Sequence, residues 1–140
     1  MPPAELTCVD TSAWIEYFRN TPHPIVGLIR DLVAAARVCV ADVVVGELFQ
    51  GVRAPRERAI LDVFADTIPV VAGTPAAWKA AGQLAAGARA RGKTLHLIDC
   101  YLARLASEHR LAVLTCDRHF ETLQTLVPHL SVQCVLSSSH

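Results

Sequence analysis

The sequence is short of several things at once. Its 13 basic and 13 acidic residues cancel, so no net field draws the chain toward a polyanion or a membrane surface. Any contact with nucleic acid must come from a local patch. No apolar run reaches the ~18 residues a membrane-spanning helix requires, so no membrane partner is expected. Met1-Pro2-Pro3-Ala4-Glu5 has neither a charged n-region nor an apolar h-region, so no signal peptide is expected. The five cysteines are odd in number and include no C-x-x-C pair, which argues against both a disulfide framework and a zinc site. Cys8, Cys39 and Cys134 fall in expected strands, where a thiol is a small buried hydrophobe. Histidines 23, 96, 109, 119, 129 and 140 show no pairing at metal-ligand spacing. A reducing, cytoplasmic setting fits these absences.

Apolar residues are what the chain has in quantity. At 52% hydrophobic over 140 residues, it fills one domain-sized core without staples. The spacing predicts short strands at Leu6–Val9, Val38–Ala41, Ile68–Val71, Ala112–Thr115 and Ser131–Val135. Pro69 places the third at a sheet edge. Between them the pattern predicts helices at Ala13–Arg19, Ile25–Arg37, Asp42–Gln50, Arg53–Ala65, Pro75–Arg91, Ile98–Glu108 and Arg118–Thr125. Asp42 and Thr74 read as caps, and Gly51 and Gly92 as stops. Strands alternating with helices predict a three-layer α/β/α domain around a central, mostly parallel five-stranded sheet. It should occupy residues 1–136, with 137–140 a disordered tail. On the long helix, Ala77, Ala81, Ala85 and Ala88 form a stripe of small residues that reads as internal packing.

Four carboxylates stand at strand-to-helix edges. Asp10 directly follows the first strand, and Glu47 lies just over one turn into the helix after the second. Asp117 comes two residues after the fourth strand, and Asp99 stands near the start of the helix leading into it. In open α/β sheets, ligands gather beyond the carboxyl ends of the strands. Each acid alone is explained by capping, helix-dipole complementation or surface exposure. Together they are harder to explain in that way, because each is flanked by apolar residues, as in Val43-Val44-Val45-Gly46-Glu47-Leu48-Phe49 and Leu97-Ile98-Asp99-Cys100-Tyr101. Half-buried carboxylates need a cationic partner, and Arg118 is the one cation adjacent to any of them. Oxygen donors of this kind suit Mg²⁺ or Mn²⁺ and phosphodiester chemistry. Thr11, Ser12 and Thr115 are placed to orient a carboxylate, or to cap helices in the ordinary way. His119, two residues past Asp117, reads as a helix-surface residue within reach of a phosphate. The stretches Arg53-Arg56-Arg58 and Arg89-Arg91-Lys93 read as solvated helix ends that are also available to a polyanion.

The segments Val9-Asp10-Thr11-Ser12-Ala13-Trp14-Ile15, Gly46-Glu47-Leu48-Phe49-Gln50-Gly51, Leu97-Ile98-Asp99 and Leu114-Thr115-Cys116-Asp117-Arg118-His119-Phe120 resemble the four motif blocks of PIN-domain ribonucleases. The resemblance is greatest to the VapC toxins of toxin–antitoxin pairs, and it covers nearly the whole chain in order. It implies a PIN fold and Mg²⁺- or Mn²⁺-dependent cleavage of RNA to 5′-phosphate and 3′-hydroxyl ends. It implies metal binding by Asp10, Asp99 and Asp117. Glu47 and Asp117 match the family's second and fourth acids, which complete the catalytic pocket directly or through water. It further implies a homodimer and a small cognate antitoxin covering the active site. One departure stands out. Cys100-Tyr101-Leu102-Ala103-Arg104 is bulkier than the small, aliphatic run usual after the third acid and carries a charge, so the packing behind the site or a subunit contact should differ. Two other readings compete with the nuclease. One is a catalytically silent PIN-like binding module. The other is a different Mg²⁺-dependent phosphotransfer protein. Dehalogenase-like phosphatases need an aspartate where Ser12 stands, and receivers need a late lysine, whereas the only lysines here are Lys79 and Lys93.

Overall fold

Residues 6–137 are described by a computed structural model. Their elements run β1 (Thr7–Val9), α1 (Thr11–Arg19), α2 (Ile25–Ala34), β2 (Val38–Ala41), α3 (Asp42–Gln50) and α4 (Pro55–Thr67). They continue with β3 (Val70–Val71), α5 (Pro75–Ala90), α6 (Leu97–His109), β4 (Ala112–Thr115), α7 (His119–Leu126) and β5 (Ser131–Cys134). The sheet order is β3-β2-β1-β4-β5, and every pairing is parallel. A sheet expected to be mostly parallel is therefore wholly so.

The order of strands decides where a site can form. The chain steps outward from β1 to β2 to β3, then crosses back to β4 and steps the other way to β5. Parallel crossovers are right-handed, so reversing direction moves the connecting helices to the other face. Helices α1 to α4 accordingly pack among themselves, as do α5 to α7. This gives the three layers. The reversal falls between β1 and β4, which pair through Thr7–Ala112, Cys8–Val113 and Val9–Leu114. At that switch point the loops diverge and leave a crevice beyond the carboxyl ends. Asp10 and Asp117 follow those two strands.

The core is continuous across the sheet, and Trp14, Tyr101 and Phe120 are its largest fully buried side chains. Trp14 meets Phe64 edge-on at 4.7 Å and stacks on Phe18 at 5.8 Å between centroids, fastening α1 to α4. Along α5, Ala77, Ala81 and Ala88 are buried against α6 as internal packing, while Ala85 is half-buried.

Several boundaries differ from expectation for local reasons. Asp10, rather than Thr11 or Ser12, caps α1, accepting the Ala13 N–H. Helix α2 stops at Ala34 instead of Arg37, because Ala36 takes a left-handed conformation at φ 54°. Strand β3 keeps only two residues and lies at the sheet edge, as Pro69 requires. Asp42 is the first residue of α3 rather than its cap. Its carboxylate accepts from the Tyr101 hydroxyl at 2.9 Å, and that hydroxyl in turn accepts the Gly73 N–H at 2.9 Å. The bulky residue after Asp99 is thus spent on joining α6 to α3 and to the turn before α5. Trp78 stacks over the Tyr101 ring at 3.8 Å between centroids. Of the tail expected at 137–140, residues 138–140 lie outside the described residues. None of the described helices is long and apolar enough to cross a membrane.

This junction leaves no room at position 73. A Cβ on Gly73 would stand 2.7 Å from the Tyr101 Oη and 3.0 Å from the Ala77 Cβ. Gly73→Ala is expected to destabilise the fold by about 1–3 kcal/mol through overpacking. Tyr101→Phe should cost about 1–3 kcal/mol by orphaning two polar partners. The double variant should lose less than the sum, because the hydroxyl is the closest clashing atom. Urea unfolding of the three variants tests this, and strict additivity would contradict the geometry.

Candidate active site

Asp10 is the most deeply set of the four acids, at 5% exposure. Its Oδ1 accepts the Ala13 N–H at 3.0 Å and the Ser12 hydroxyl at 2.8 Å. Its Oδ2 accepts the buried Thr115 hydroxyl at 2.6 Å. Thr115 Oγ1 also accepts the Asp117 backbone N–H at 2.9 Å. One hydroxyl therefore links the loops after β1 and β4. Cys116 adds a weaker tie, its thiol donating to Ser12 Oγ at 3.3 Å. Thr11 donates to Glu47 Oε1 at 2.6 Å, fixing α3 against the start of α1. All three hydroxyls singled out in the sequence thus contact one of the four acids.

Asp99 arrives from the other layer. Gly92, with φ at 78°, turns the chain after α5, and α6 then starts at Leu97 with Asp99 in its first turn. The structure thereby brings Asp99 to the same edge as the other three. A cavity of about 250 Å³ is lined by Asp10, Glu47, Asp99 and Asp117, with walls that include Ile15 and Leu102. A larger groove of about 360 Å³ adjoins it and shares Ile15 and Glu47. Its floor includes Phe18, Leu48 and Leu61, and its rim includes Arg19 and Arg53. The second basic stretch, Arg89-Arg91-Lys93, is solvent-exposed and lines neither space.

The electrostatics of the cavity are one-sided. Burial pushes the Asp10 carboxyl above its ordinary value, against its three hydrogen bonds, and Asp117 pushes it further. Asp99 is raised to about 6, first by burial and then by Asp117, Asp10 and Glu47, with His96 working in the opposite direction. Among the described residues, no arginine or lysine forms an ion pair with any of the four acids. Arg118, the adjacent cation noted in the sequence, is exposed and makes no such pair. His119 does approach one of the acids, its Nδ1 standing 2.9 Å from Asp117 Oδ1. His119 is exposed as the sequence suggests, but its ring faces the acids rather than solvent alone. Asp99, Asp117 and His119 each offer a ligand atom, all within 4.8 Å of one another. Crowded carboxylates, two of them with their charged forms disfavoured and none paired with an arginine or lysine among the described residues, fit a divalent cation in donor chemistry and charge.

Sequence reasoning missed the Asp42–Tyr101–Gly73 junction behind the site, because residues 59 and 28 apart in the chain carry no local sign of touching. It placed His119 two residues past Asp117, within reach of a phosphate, but did not foresee the contact of its ring with that acid.

Comparisons with known proteins bear on the family and the fold. Residues 7–126 match the PIN domain family. Ribonuclease VapC11 of Mycobacterium tuberculosis is 29% identical over 119 residues, which cover 82% of this chain and 89% of that protein. The DNA-bound VapBC structure from Salmonella typhimurium superposes with a TM-score of 0.72 at 22% identity, over 93% of this chain and 98% of that one. VapBC2 from Rickettsia felis, bound to a DNA fragment from its promoter, gives a TM-score of 0.71 at 14% identity, over 92% and 98%. These two structural likenesses speak to the fold. The family match spans both strands of the switch point and all four acids, so the chain belongs to the PIN-domain family.

Proposed function

We propose that this protein is an endoribonuclease dependent on Mg²⁺ or Mn²⁺ and acts as the toxin of a toxin–antitoxin pair. The observation that carries the reading is the convergence of Asp10, Glu47, Asp99 and Asp117 on one cavity with no lysine or arginine among them to neutralise it. The likeness to a VapC ribonuclease over most of both chains supports it. A bound divalent cation would polarise water and the phosphoryl group for in-line attack.

The chain's own residues do the rest. Asp10, Asp99 and Asp117 would hold the cation. Thr115 and Ser12 keep both Asp10 oxygens turned in fixed directions, and Thr11 holds Glu47 at the cavity wall. Ile15, Ile98 and Leu102 line the space and limit the water around the reacting phosphate. RNA is the substrate. The groove past Ile15 and Glu47, apolar in its floor and basic at Arg19 and Arg53, suits a segment of a small antitoxin lying over the site. The homodimer implied by the resemblance belongs to the same reading. Five free cysteines agree with a cytoplasmic setting.

Asp10→Asn and Asp99→Asn are each expected to abolish cleavage of cellular RNA while preserving the circular dichroism spectrum. A chelator should stop the wild-type chain, and added Mn²⁺ or Mg²⁺ should restore it. Full activity in either variant, or cleavage that survives chelation, would refute the assignment.

The raised carboxyls also predict a stability profile. Asp99 binds its proton more tightly in the folded chain, at about 6 against an ordinary 3.8, and Asp10 shifts the same way. Their favourable contribution is therefore fully present below the ordinary value and is lost as pH rises through about 6. With chelator, the melting temperature should fall between pH 5 and pH 7. Added Mn²⁺ should raise it more at pH 7 than at pH 5, because only the charged acids bind the cation. Equal metal stabilisation at both values would count against the site.

The toxin role is tested separately, by expression in a bacterial host. Growth should arrest with the wild-type chain and not with Asp99→Asn, and a co-encoded small partner should relieve the arrest. Harmless expression of an active nuclease would point to housekeeping RNA processing.

A further inference from the structure

Oxygen donors alone do not describe the mouth of this cavity. We propose that His119 is a nitrogen ligand of the cation held by Asp99 and Asp117, and that it biases the site toward Mn²⁺ over Mg²⁺. This inference rests on the metal-dependent reading above.

The placement of His119 is built rather than incidental. Helix α7 begins at this residue. Its backbone N–H donates to Asp117 Oδ1 at 2.9 Å, which pins the start of the helix to the acid. Its ring Nδ1 stands 2.9 Å from the same oxygen. Two ligands at right angles on a cation with bonds of about 2.1 Å stand about 3 Å apart, so this pair already has the separation of neighbouring ligands. Asp99 supplies the third atom, from the opposite helical layer, within the same 4.8 Å span. Ligands on opposite sides of one such cation stand about 4.2 Å apart, so the 4.8 Å span would have to contract by about half an ångström to close on a single ion. His119 is solvent-exposed, and its contacts to Asp117 are the polar ones that orient it.

The consequence for the metal follows from donor softness. Mg²⁺ demands oxygen donors and gives up its waters reluctantly. Imidazole is a borderline donor, and later divalent metals accept it more readily. A site of carboxylates plus one imidazole therefore gains more for Mn²⁺ than for Mg²⁺. The other imidazole nearby is His96, whose ring centroid lies 6.2 Å from that of His119. It precedes α6 and is exposed, so it serves as the control.

Pulsed electron paramagnetic resonance of Mn²⁺ bound to the purified chain reads ligation directly, because a coordinating imidazole imprints nitrogen modulation on the echo. Modulation is expected in the wild type and in His96→Ala, and should be lost in His119→Ala. In parallel titrations, His119→Ala should weaken Mn²⁺ binding roughly tenfold, the lower end of what altered ligand surroundings cost a metal site, and weaken Mg²⁺ binding less. Mn²⁺ bound without nitrogen modulation would overturn the role of His119 while leaving the acid site in place. So would modulation that persists in His119→Ala. A wild-type chain that binds no Mn²⁺, or binds it equally well as Asp99→Asn, would overturn the metal-dependent reading itself and this inference with it.

Discussion

The hydrogen bonds that hold the Asp10 carboxylate in place are what the functional end of this molecule depends on. A charged group at 5% exposure costs several kcal/mol unless its oxygens are satisfied. The chain satisfies them from two directions, with Ser12 and the Ala13 N–H on the near side and Thr115 from the next strand. The same Thr115 oxygen holds the Asp117 backbone, so the requirement to bury Asp10 also fixes the loop that carries the fourth acid. The β1–β4 register, Val9 against Leu114, sets Thr115 at the right height to do so. A one-residue slip would turn Thr115 to the opposite face of the sheet.

Satisfying Asp10 does not balance the cavity. Four acids converge, and burial together with mutual repulsion keeps Asp10 and Asp99 reluctant to ionise. A fold selected for stability alone would have placed an arginine among them. Its arginines lie elsewhere, Arg53 at the adjoining groove and Arg118 turned to solvent. On the proposed metal-dependent reading, this excess of negative charge would make stability, proton uptake and metal binding one linked equilibrium.

Much of this was legible in the sequence for a physical reason. Parallel strands covered on both faces read as short apolar runs, and Val38–Ala41 and Ala112–Thr115 are found where they were read. The acids were legible because strand ends are sharply marked and the carboxyl edge of such a sheet is where ligands gather. Helix ends were less so. Ala36 turns left-handed with no glycine to announce it, and Asp42 looks like a cap until Tyr101 claims its carboxylate. That junction comes from tertiary placement, which local propensity does not encode, whereas the turn of His119 toward Asp117 is a contact two residues away whose side-chain direction the sequence does not specify. The bulk of Tyr101 signalled unusual packing behind the third acid but not its partners.

The all-parallel order has a consequence for synthesis. Parallel neighbours cannot be joined by hairpins, so every strand pairing here waits for a crossover. The central pairing of β1 with β4 joins residues more than a hundred positions apart. Non-local pairing of this kind forms slowly. A chain still emerging from the ribosome holds Asp10 and Glu47 long before Asp99 and Asp117 exist. The cavity cannot close until the fourth strand has docked beside the first. Whatever chemistry the finished pocket performs, the machinery that makes the protein is shielded from it until translation has passed Asp117.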